Sequence, residues 1–428
     1  MTARASASVQ AWVPKGLIEV PFGKPLIAAA SAADGLVAVA LAWRDGVIHS
    51  IDPLPAEAAA PTCLLLPRLV EPHAHLDKAF SWSQAPNHAG TYAGAMAANL
   101  GEHQSRTVAV VEQRAEQALK LALRHGYRAI RSHVDSLGPG AECSWQALLD
   151  LQRRWRGCVD LQLVALLPVE HWSTAEGEAL AQRVASHAGL LGGVLGPPCK
   201  GRQTREAVHR MLRLADRLGC GIDLHLDEAQ IGPAEGTTVL VRALDQTPVS
   251  VPITCSHASS LSLLSPWRLE HLMARMLHHQ LQVVALPLTN GWLLGREQGR
   301  TPLIRPLAPI HQLQRSGVRV AVGGDNVQDP WYPGGNFDPL ALMAQALPLA
   351  QLAPWDRLGL MPFTTEAARL LGLPWDGVLR IGAPADLLLL QASSWSEALA
   401  QSPARQVVVA GVAQTGLGST EILHTDSI

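Results

Sequence analysis

Eight short apolar runs alternate with longer amphipathic stretches through the middle of the chain, and this alternation limits the fold more than any other feature. The runs are "LLLPRLVEPHAH" (64–75), "YRAIRSHVDS" (127–136), "DLQLVALLP" (160–168), "LLGGVLGPP" (190–198), "GIDLHLDE" (221–228), "VPITCSHA" (251–258), "LQVVALPLTN" (281–290) and "VRVAVGGDN" (318–326). Helical periodicity lies between them, as in residues 110–124, 177–188, 205–218 and 267–279. Parallel strands covered by helices have this pattern, and eight units predict an α/β fold, a distorted (β/α)₈ TIM barrel. A doubly wound open sheet is the alternative.

Both flanks of this pattern consist of strand-like runs and turns. The N-terminal flank contains "GLVAVALAW" and "DGVIHSI", and the C-terminal flank contains "GAPADLLLL" and "RQVVVAGVAQTG". Two β-rich segments at opposite ends of a chain can pair into one sheet. We therefore predict a small discontinuous β-sandwich domain, built from residues 1–66 and 373–428, beside a barrel of residues 67–372.

Composition narrows the class of protein and its partners. Hydrophobic residues make up 48% and charged residues 16% of the chain, which is typical of a globular protein. The net charge of −2 offers no electrostatic reason to bind nucleic acid or an acidic membrane. The apolar stretch 26–43 is interrupted at Asp34, and its length falls short of the roughly 20 residues of a membrane span. We expect neither nucleic acid nor membrane as a partner, and a homo-oligomer stays open.

The six cysteines are scattered without a Cys-x-x-Cys pair. Free thiols of this kind are typical of a reducing compartment. The N-terminal sequence "MTARASASVQAWVPKG" contains no apolar run of signal-peptide length. The expected location is therefore cytoplasmic.

Metal-binding residue types recur where the apolar runs end. His73 and His75 end the first run, His225 lies in the fifth, His257 in the sixth and Asp325 in the eighth. In a barrel of parallel strands all these ends lie on one rim, where barrel enzymes hold their active sites. Imidazoles with a carboxylate suit Zn²⁺ or Fe²⁺, and such a cation lowers the pKa of a bound water to about 7.

Two further residues near these strand ends have different expected roles. Glu228 lies three residues beyond His225, where a carboxyl group can carry protons. His133 in "RSHVDS" is expected to be a hydrogen-bonded core histidine, because a lone buried histidine usually has that role.

The ordered motifs "VEPHAHLDKAF", "RSHVDS", "DLHLDE", "CSHASSLS", "LPLTNGWLLGRE" and "GGDNVQDPWYPGG" resemble the cytosine deaminase branch of the metal-dependent amidohydrolase superfamily. The resemblance covers nearly the whole chain, including "GAPADLLLL" in the C-terminal flank. It implies a distorted (β/α)₈ barrel with a β-sandwich and one divalent metal ion, zinc or iron. Carried over by motif, it implies four metal ligands: His73, His75, His225 and Asp325.

The same resemblance implies a catalytic role for Glu228, His257 and Asp325. Metal-bound hydroxide attacks the ring carbon that bears the exocyclic amine, and Asp325 takes its proton. Glu228 protonates the adjacent ring nitrogen and then the amine, which leaves as ammonia. His257 holds the attacking water or the developing charge. The resemblance therefore predicts a hydrolytic deaminase of a small amino-substituted nitrogen heterocycle, cytosine-like.

The chain departs from the family pattern at positions expected to contact the substrate. A glutamine that reads the pyrimidine edge is expected within "LLPVEHW", where this chain has Val169 and Glu170. Asn326 stands where cytosine deaminases carry a second aspartate, and Trp331, followed by Tyr332, is placed to cover a planar ring. We predict that Val169, Glu170, Asn326 and Trp331 bind the substrate. The departures from the family pattern are expected to change which substrate is bound and to leave the chemical reaction unchanged.

Other functions stay open on the same residues. The chain can be an amidohydrolase of another ring substrate, such as an N-alkylaminotriazine or a cyclic amide, or a catalytically silent metal-binding relative. Some amidohydrolases bridge two metals with a carbamylated lysine, and Lys200 lies near the fourth run, although beyond its "GPP". A deaminase that edits nucleic acid is disfavoured, because that class uses a His/Cys/Cys zinc site.

Overall fold

The computed structural model describes residues 6–19, 34–199, 201–400 and 402–414, and all structural statements concern these ranges. Lys200 lies outside them. In chain order, the strands β1–β15 span Ala7–Pro14, Leu36–Arg44, Val47–Pro53, Leu64–Pro67, Leu69–Ala74, Tyr127–Asp135, Asp160–Leu166, Leu190–Leu195, Ile222–Leu226, Ile253–His257, Gln282–Ala285, Arg319–Val322, Leu387–Leu390, Arg405–Val409 and Val412–Ala413.

The α-helices surround one of two sheets. In chain order, α1–α13 span Tyr92–His103, Val108–His125, Ala141–Arg154, Ala175–Ser186, Arg202–Leu218, Glu235–Gln246, Pro266–His278, Pro287–Leu293, Ile310–Arg315, Pro339–Ala350, Arg357–Leu360, Thr365–Leu370 and Trp395–Ala400. Short 3₁₀ helices span Lys15–Leu17, Val169–Ser173, Ser259–Leu263 and Met361–Phe363. The four segments predicted as helices coincide with α2, α4, α5 and α7 over most of their length, which confirms them, and two of them extend one or two residues beyond the ends of α4 and α7.

The barrel is formed by β5 to β12, which pair in sequential order as an eight-stranded parallel sheet. Ala74 and Asp325 form a parallel bridge between its first and last members, and the Asp325 N–H donates to the His73 carbonyl at 3.0 Å. Sequential order with contact between the ends makes a nearly closed barrel. The (β/α)₈ prediction is confirmed, and the open doubly wound sheet is wrong.

Helix α2 illustrates how the local sequence sets the helical layer. Thr107 begins it, because its hydroxyl accepts a hydrogen bond from the Val110 N–H at 3.3 Å. Gly126 ends it at a φ of 97°, a left-handed conformation that glycine adopts without strain. Between them, side chains at helical spacing such as Val111, Ala115 and Leu119 are fully buried. This stripe packs the helix onto the barrel.

The second sheet has seven strands in the order β15-β14-β13-β4-β1-β2-β3. β1 and β2 are antiparallel, and β13 pairs with β4, so N-terminal and C-terminal segments share one sheet. It contains a hydrophobic cluster of its own, which includes Val37, Trp43 and Leu389. The predicted separate β unit from both ends of the chain is confirmed, whereas the boundaries at residues 66 and 373 stay a prediction.

The first apolar run forms two strands, whereas the sequence pattern predicted one. It divides at Arg68 into β4 of the seven-stranded sheet and β5 of the barrel. The buried Arg68 guanidinium donates to the carbonyls of Tyr127 and Cys158 at 2.5 Å each, and it lies 3.4 Å from Asp386. The Arg68 side chain therefore contacts groups of both sheets at the point where the chain leaves β4 and enters β5.

No helix in the described ranges is both long and apolar enough to cross a lipid bilayer.

Candidate metal centre and active-site cavity

The carboxyl ends of β5, β9, β10 and β12 bring five predicted side chains together. Asp325 Oδ1 lies 3.3 Å from His75 Nε2 and 3.5 Å from His73 Nε2. The Nε2 atoms of His75 and His225 are 3.3 Å apart. Candidate ligand atoms of His73, His225 and His257 all lie within 4.8 Å of one another. These five residues, which lie up to 252 positions apart in the sequence, therefore form one buried cluster.

The donor atoms of this cluster fit a divalent cation. In the part of the chain that the structure describes, His73 Nε2 and both Asp325 carboxylate oxygens are buried without a hydrogen-bond partner. Buried polar atoms are almost always satisfied, so several orphaned nitrogen and oxygen atoms around one point indicate a missing ligand. Zn²⁺ and Fe²⁺ accept such a set.

The protonation states also suit metal binding. Burial, reinforced by the neighbouring histidines, holds the pKa of His73 and of His225 well below the usual value, so both rings are neutral near pH 7. Burial acts to raise the pKa of Asp325, but its contact with His75 and the nearby His257 outweigh burial and lower it. Neutral imidazoles and an ionised carboxylate are the forms that ligate metals.

A buried chain of hydrogen bonds orients His73. Its Nδ1 lies 2.9 Å from Ser256 Oγ, which donates to Asp223 Oδ1 at 2.7 Å. Arg131 donates to the other oxygen of Asp223 at 2.7 Å. Because the Ser256 hydroxyl hydrogen goes to Asp223, its oxygen accepts from His73 Nδ1–H, and the Nε2 lone pair faces the cluster.

Ser256, Asp223 and Arg131 were not predicted as site residues, although the sequence contains a weak signal for the first two. Asp223 lies two positions before His225 on β9, so both side chains leave the same face of the strand. Ser256 lies directly before His257 on β10. Nothing in the sequence indicated that Arg131, on β6, reaches Asp223.

Glu228 lies beside the cluster and not within it. Its Oε1 is 3.5 Å from His257 Nδ1 and 3.4 Å from Asn290 Nδ2. Burial, with repulsion from Asp325, raises the pKa of Glu228 well above the usual value. Asn290, on α8, also donates to His257 Nδ1 at 3.0 Å. It was missed, although "LPLTN" follows the seventh strand as the other site residues follow theirs.

His133 does not have the role expected of it. Its ring stacks on His73 with centroids 3.9 Å apart, and neither ring nitrogen has a hydrogen-bond partner among the described residues. Its Nε2 lies 3.7 Å from Asp223 Oδ2. The expectation of a hydrogen-bonded core histidine is wrong, because the ring belongs to the histidine cluster and packs against the predicted ligands.

A cavity of about 1220 Å³ opens above the cluster. His75, His225, His257, Asp325 and Glu228 line its inner end. Of the predicted substrate-binding residues, it is lined by Glu170, Asn326 and Trp331. The cluster and the residues expected to contact a substrate therefore share one space.

Val169 does not reach this cavity. Its side chain is 1% exposed, belongs to the hydrophobic core and packs against Gly193 of β8. It is absent from the described cavity lining, so the structure corrects its expected substrate contact. The next residue, Glu170, borders the cavity instead, and its Oε1 accepts a hydrogen bond from Thr204 Oγ1 at 2.7 Å. The 3₁₀ turn at 169–173 directs the two neighbours to opposite sides.

Trp331 is held by an aromatic ring and a cation. The Tyr92 ring meets it edge-on with centroids 5.0 Å apart, and Lys78 Nζ lies 5.8 Å from its ring centre. Lys78 also pairs with Asp135 at 3.0 Å, and both line the cavity although neither was predicted as a site residue. Tyr332, expected beside Trp331, is not among the described lining residues.

Asn326 is fixed by its own loop. Its Nδ2 donates to Asp329 Oδ2 at 2.8 Å, and its Oδ1 lies 3.4 Å from Thr289 Oγ1. The side chain therefore borders the cavity in a defined orientation.

Fold and site together define the class of protein. A (β/α)₈ barrel with a buried His/Asp cluster at the carboxyl ends of its strands, and a carboxyl group beside that cluster, is a metal-dependent hydrolase that acts on carbon–nitrogen bonds. The sequence profile of the amidohydrolase family matches residues 187–415. The chain belongs to the amidohydrolase family, and its resemblance to the cytosine deaminase branch is confirmed.

Known relatives agree with this assignment over most of the chain. A pterin deaminase of Rhizobium rhizogenes (strain K84) is 31% identical over 389 residues, which cover 88% of either chain. The N-isopropylammelide isopropyl amidohydrolase of Pseudomonas sp. (strain ADP) is 22% identical over 81% of this chain and 84% of the relative. The crystal structure of 5-methylcytosine deaminase from Klebsiella pneumoniae with 5-fluorocytosine superposes with a TM-score of 0.80, at 25% identity, over 97% of this chain and 98% of that one.

Proposed function

We propose that this protein is a hydrolytic deaminase of an amino-substituted nitrogen heterocycle. The observation that carries the proposal is the buried Glu228 carboxyl, 3.5 Å from His257 and at the edge of the His/Asp cluster, within the same cavity. A deaminase needs a group that delivers protons to the ring and to the leaving amine, and the position of Glu228 supports this role. The names of the relatives, two of them deaminases, support the reaction class.

We infer that one divalent ion, Zn²⁺ or Fe²⁺, is held by His73, His75, His225 and Asp325. Such an ion supplies the Lewis acidity that makes water nucleophilic near pH 7. His73 is oriented for this role by Ser256 and Asp223.

The chain's own residues move the protons. Glu228 is protonated near pH 7, because burial and the Asp325 charge raise its pKa, and it donates to the ring nitrogen next to the reacting carbon. Asp325 is ionised and accepts the proton of the attacking water. Asn290 donates to His257 Nδ1, so His257 Nε2 carries hydrogen and donates to the negative charge that develops on oxygen. The proton that Asp325 took from water then passes to the ionised Glu228, which delivers it to the leaving amine. The hydroxyl proton released as the carbonyl forms restores the protonated Glu228.

Glu170 is the residue we propose to read the far edge of the ring. A glutamine side chain both donates and accepts, whereas a carboxylate only accepts hydrogen bonds. Thr204 already occupies Oε1 of Glu170, which leaves the other oxygen for a ligand. The preferred heterocycle therefore presents N–H donors at this edge, with Trp331 covering its face.

The size of the cavity indicates that rings larger than cytosine should also be tested as substrates. Sites of about 300–1,000 Å³ hold whole drug-sized molecules, and this cavity measures about 1220 Å³. The cytosine-like ring stays a prediction, and a fused two-ring amine such as a pterin fills the space better. The 31% identical pterin deaminase supports testing this compound first.

Ammonia release from a panel of compounds tests the proposal. Purified protein loaded with Zn²⁺ or Fe²⁺ is incubated with pterin, cytosine, an N-alkylaminotriazine and a cyclic amide. We expect ammonia from pterin above all others. Alkylamine release from the triazine, or ring opening of the cyclic amide, would instead assign the chain to the alternative amidohydrolases. Bound metal without turnover of any compound would identify a catalytically silent relative.

A further inference from the structure

Four large apolar side chains are exposed around the mouth of the cavity. Met96 is 37%, Leu100 57%, Leu137 50% and Ile231 67% exposed, and all four line the cavity. Isolated exposed apolar residues are ordinary on a protein surface. These four come from three separate parts of the chain and line one cavity, so they form a shared apolar surface, which we call the outer chamber.

The outer chamber is continuous with the wall of the metal centre. Met96 and Leu100 lie four and eight residues after Tyr92 on α1, so the three side chains share one helix face. Tyr92 lines the cavity and packs edge-on against Trp331, which we propose to cover the substrate ring. Leu137 follows β6 at the same rim of the barrel. A molecule that extends outward from Trp331 therefore meets apolar side chains along its path.

The cavity lining contains polar groups as well as apolar ones. The histidine cluster and Glu228 line the inner end, and the exposed Arg296 and Glu297 also line the cavity, from the loop that follows α8. Leu293 and Leu294 also line the cavity with apolar surface, and they are 4% and 5% exposed. Removal of such surface from water stabilises whatever apolar group covers it.

We propose that the outer chamber binds an apolar substituent of the heterocyclic substrate, attached on the side of the ring away from the reacting amine. The inference rests on the proposed deaminase function and specifies the class of substrate: a ring that carries an alkyl or similar chain. One ring system occupies only part of a cavity of about 1220 Å³, which leaves the outer chamber for the chain.

A homologous series of substrates tests the inference. Pterin and its 6-methyl, 6-propyl and 6-pentyl derivatives are compared by kcat and KM for ammonia release. Dissociation constants for the same series are measured on Glu228→Gln by pterin fluorescence. We expect KM and Kd to fall about threefold to fourfold per methylene until the chamber is filled. kcat should stay constant, because the chain is remote from the reacting carbon.

Variants of the chamber locate the effect. Leu100→Asn and Leu137→Asn should each reduce the ratio of KM between pterin and 6-pentylpterin by about tenfold. Leu277→Asn is the matched control, since Leu277 is 46% exposed on α7 and is not among the described lining residues. Its ratio should equal that of the unmodified protein.

The outcomes separate this inference from the proposed function. Ammonia release from pterin with a flat KM and Kd along the series overturns the chamber and keeps the deaminase. Falling Kd values without ammonia release from any member keep the chamber and remove the deaminase. If Leu100→Asn and Leu137→Asn change the sedimentation coefficient but not the KM ratio, the patch is an interface between copies and the inference is overturned.

Discussion

Glu71 accepts hydrogen bonds from the backbone N–H of Gly324 with both of its carboxylate oxygens, at 3.0 Å each. The same carboxylate accepts from the His73 N–H at 3.1 Å and from the Tyr127 hydroxyl at 3.2 Å. Glu71 lies on β5 and Gly324 follows β12, so one side chain joins the first and last strands of the barrel. It closes the seam directly beneath the metal centre.

We predict that Glu71→Gln lowers the free energy of unfolding by about 1–3 kcal/mol, because an amide NH₂ group cannot accept the hydrogen bonds of this seam. Burial raises the pKa of Glu71 to about 8, so denaturant titration above that pH, where the carboxylate is ionised, measures the change. Glu116→Gln is the control, since Glu116 is a partly exposed surface residue paired with Lys120, and its effect should stay below about 0.5 kcal/mol. If the two variants were equally stable, the hydrogen bonds of Glu71 would not stabilise the junction between the first and last barrel strands.

Glu228→Gln should retain the metal and lose turnover. The amide keeps the size of the side chain but holds no proton to transfer, so ammonia release should fall about 10²–10⁴-fold. Metal content by mass spectrometry and rates from an ammonia assay measure the two effects. Glu176→Gln, an exposed substitution on α4, should change neither. A full rate in Glu228→Gln would exclude the residue as proton carrier.

Removal of the metal should abolish activity and lower the melting temperature. The orphaned atoms of His73 and Asp325 then lose their partner, and a ligand that binds the folded state stabilises it by mass action. Re-addition of Zn²⁺ or Fe²⁺ to dialysed protein identifies the effective ion. His225→Ala should bind no metal after dialysis, whereas the exposed His271→Ala should bind as much as the unmodified protein. Metal retention in His225→Ala would contradict the ligand set.

Ser256→Ala should weaken metal binding about 10–100-fold, because His73 loses the acceptor that orients its Nδ1–H. Competition with a chelating dye measures the affinity without any turnover. Ser256→Thr retains the hydroxyl and should recover most of it, and Ser186→Ala on the surface should have no effect. An unchanged affinity in Ser256→Ala would mean that Ser256 only fills space.

Glu170→Gln should shift substrate preference toward cytosine. The amide both donates and accepts, whereas the carboxylate only accepts, so the ratio of kcat/KM for cytosine to that for pterin should rise about tenfold. Steady-state kinetics on both compounds measure the ratio. Val169→Ala is the comparison, because Val169 is buried away from the cavity and its substitution should change stability but not preference. If the kcat/KM ratio of cytosine to pterin changed in Val169→Ala and not in Glu170→Gln, Val169 and not Glu170 would be the residue that contacts the substrate.

Local pattern accounts for much of the agreement between sequence and structure. Strand and helix periodicities are properties of neighbouring residues, so β6, β9 and β10 and the four proposed helices could be predicted. Pro67 and Arg68 interrupt an otherwise apolar run. The local sequence does not show to which of the two sheets a strand belongs. For this reason the division between β4 and β5 was not predicted.

By itself, the sequence determined that His73, His75, His225, His257 and Asp325 meet, because each lies at or just after the carboxyl end of a parallel strand and such strand ends share a rim. Only the tertiary structure decided the contacts that complete the site: Ser256 with His73 across 183 residues, the seam at Glu71, and the inward turn of Val169. The physical reason is that periodicity sets the direction of a side chain relative to its own strand. Its partner depends on how all eight strands and their loops pack together.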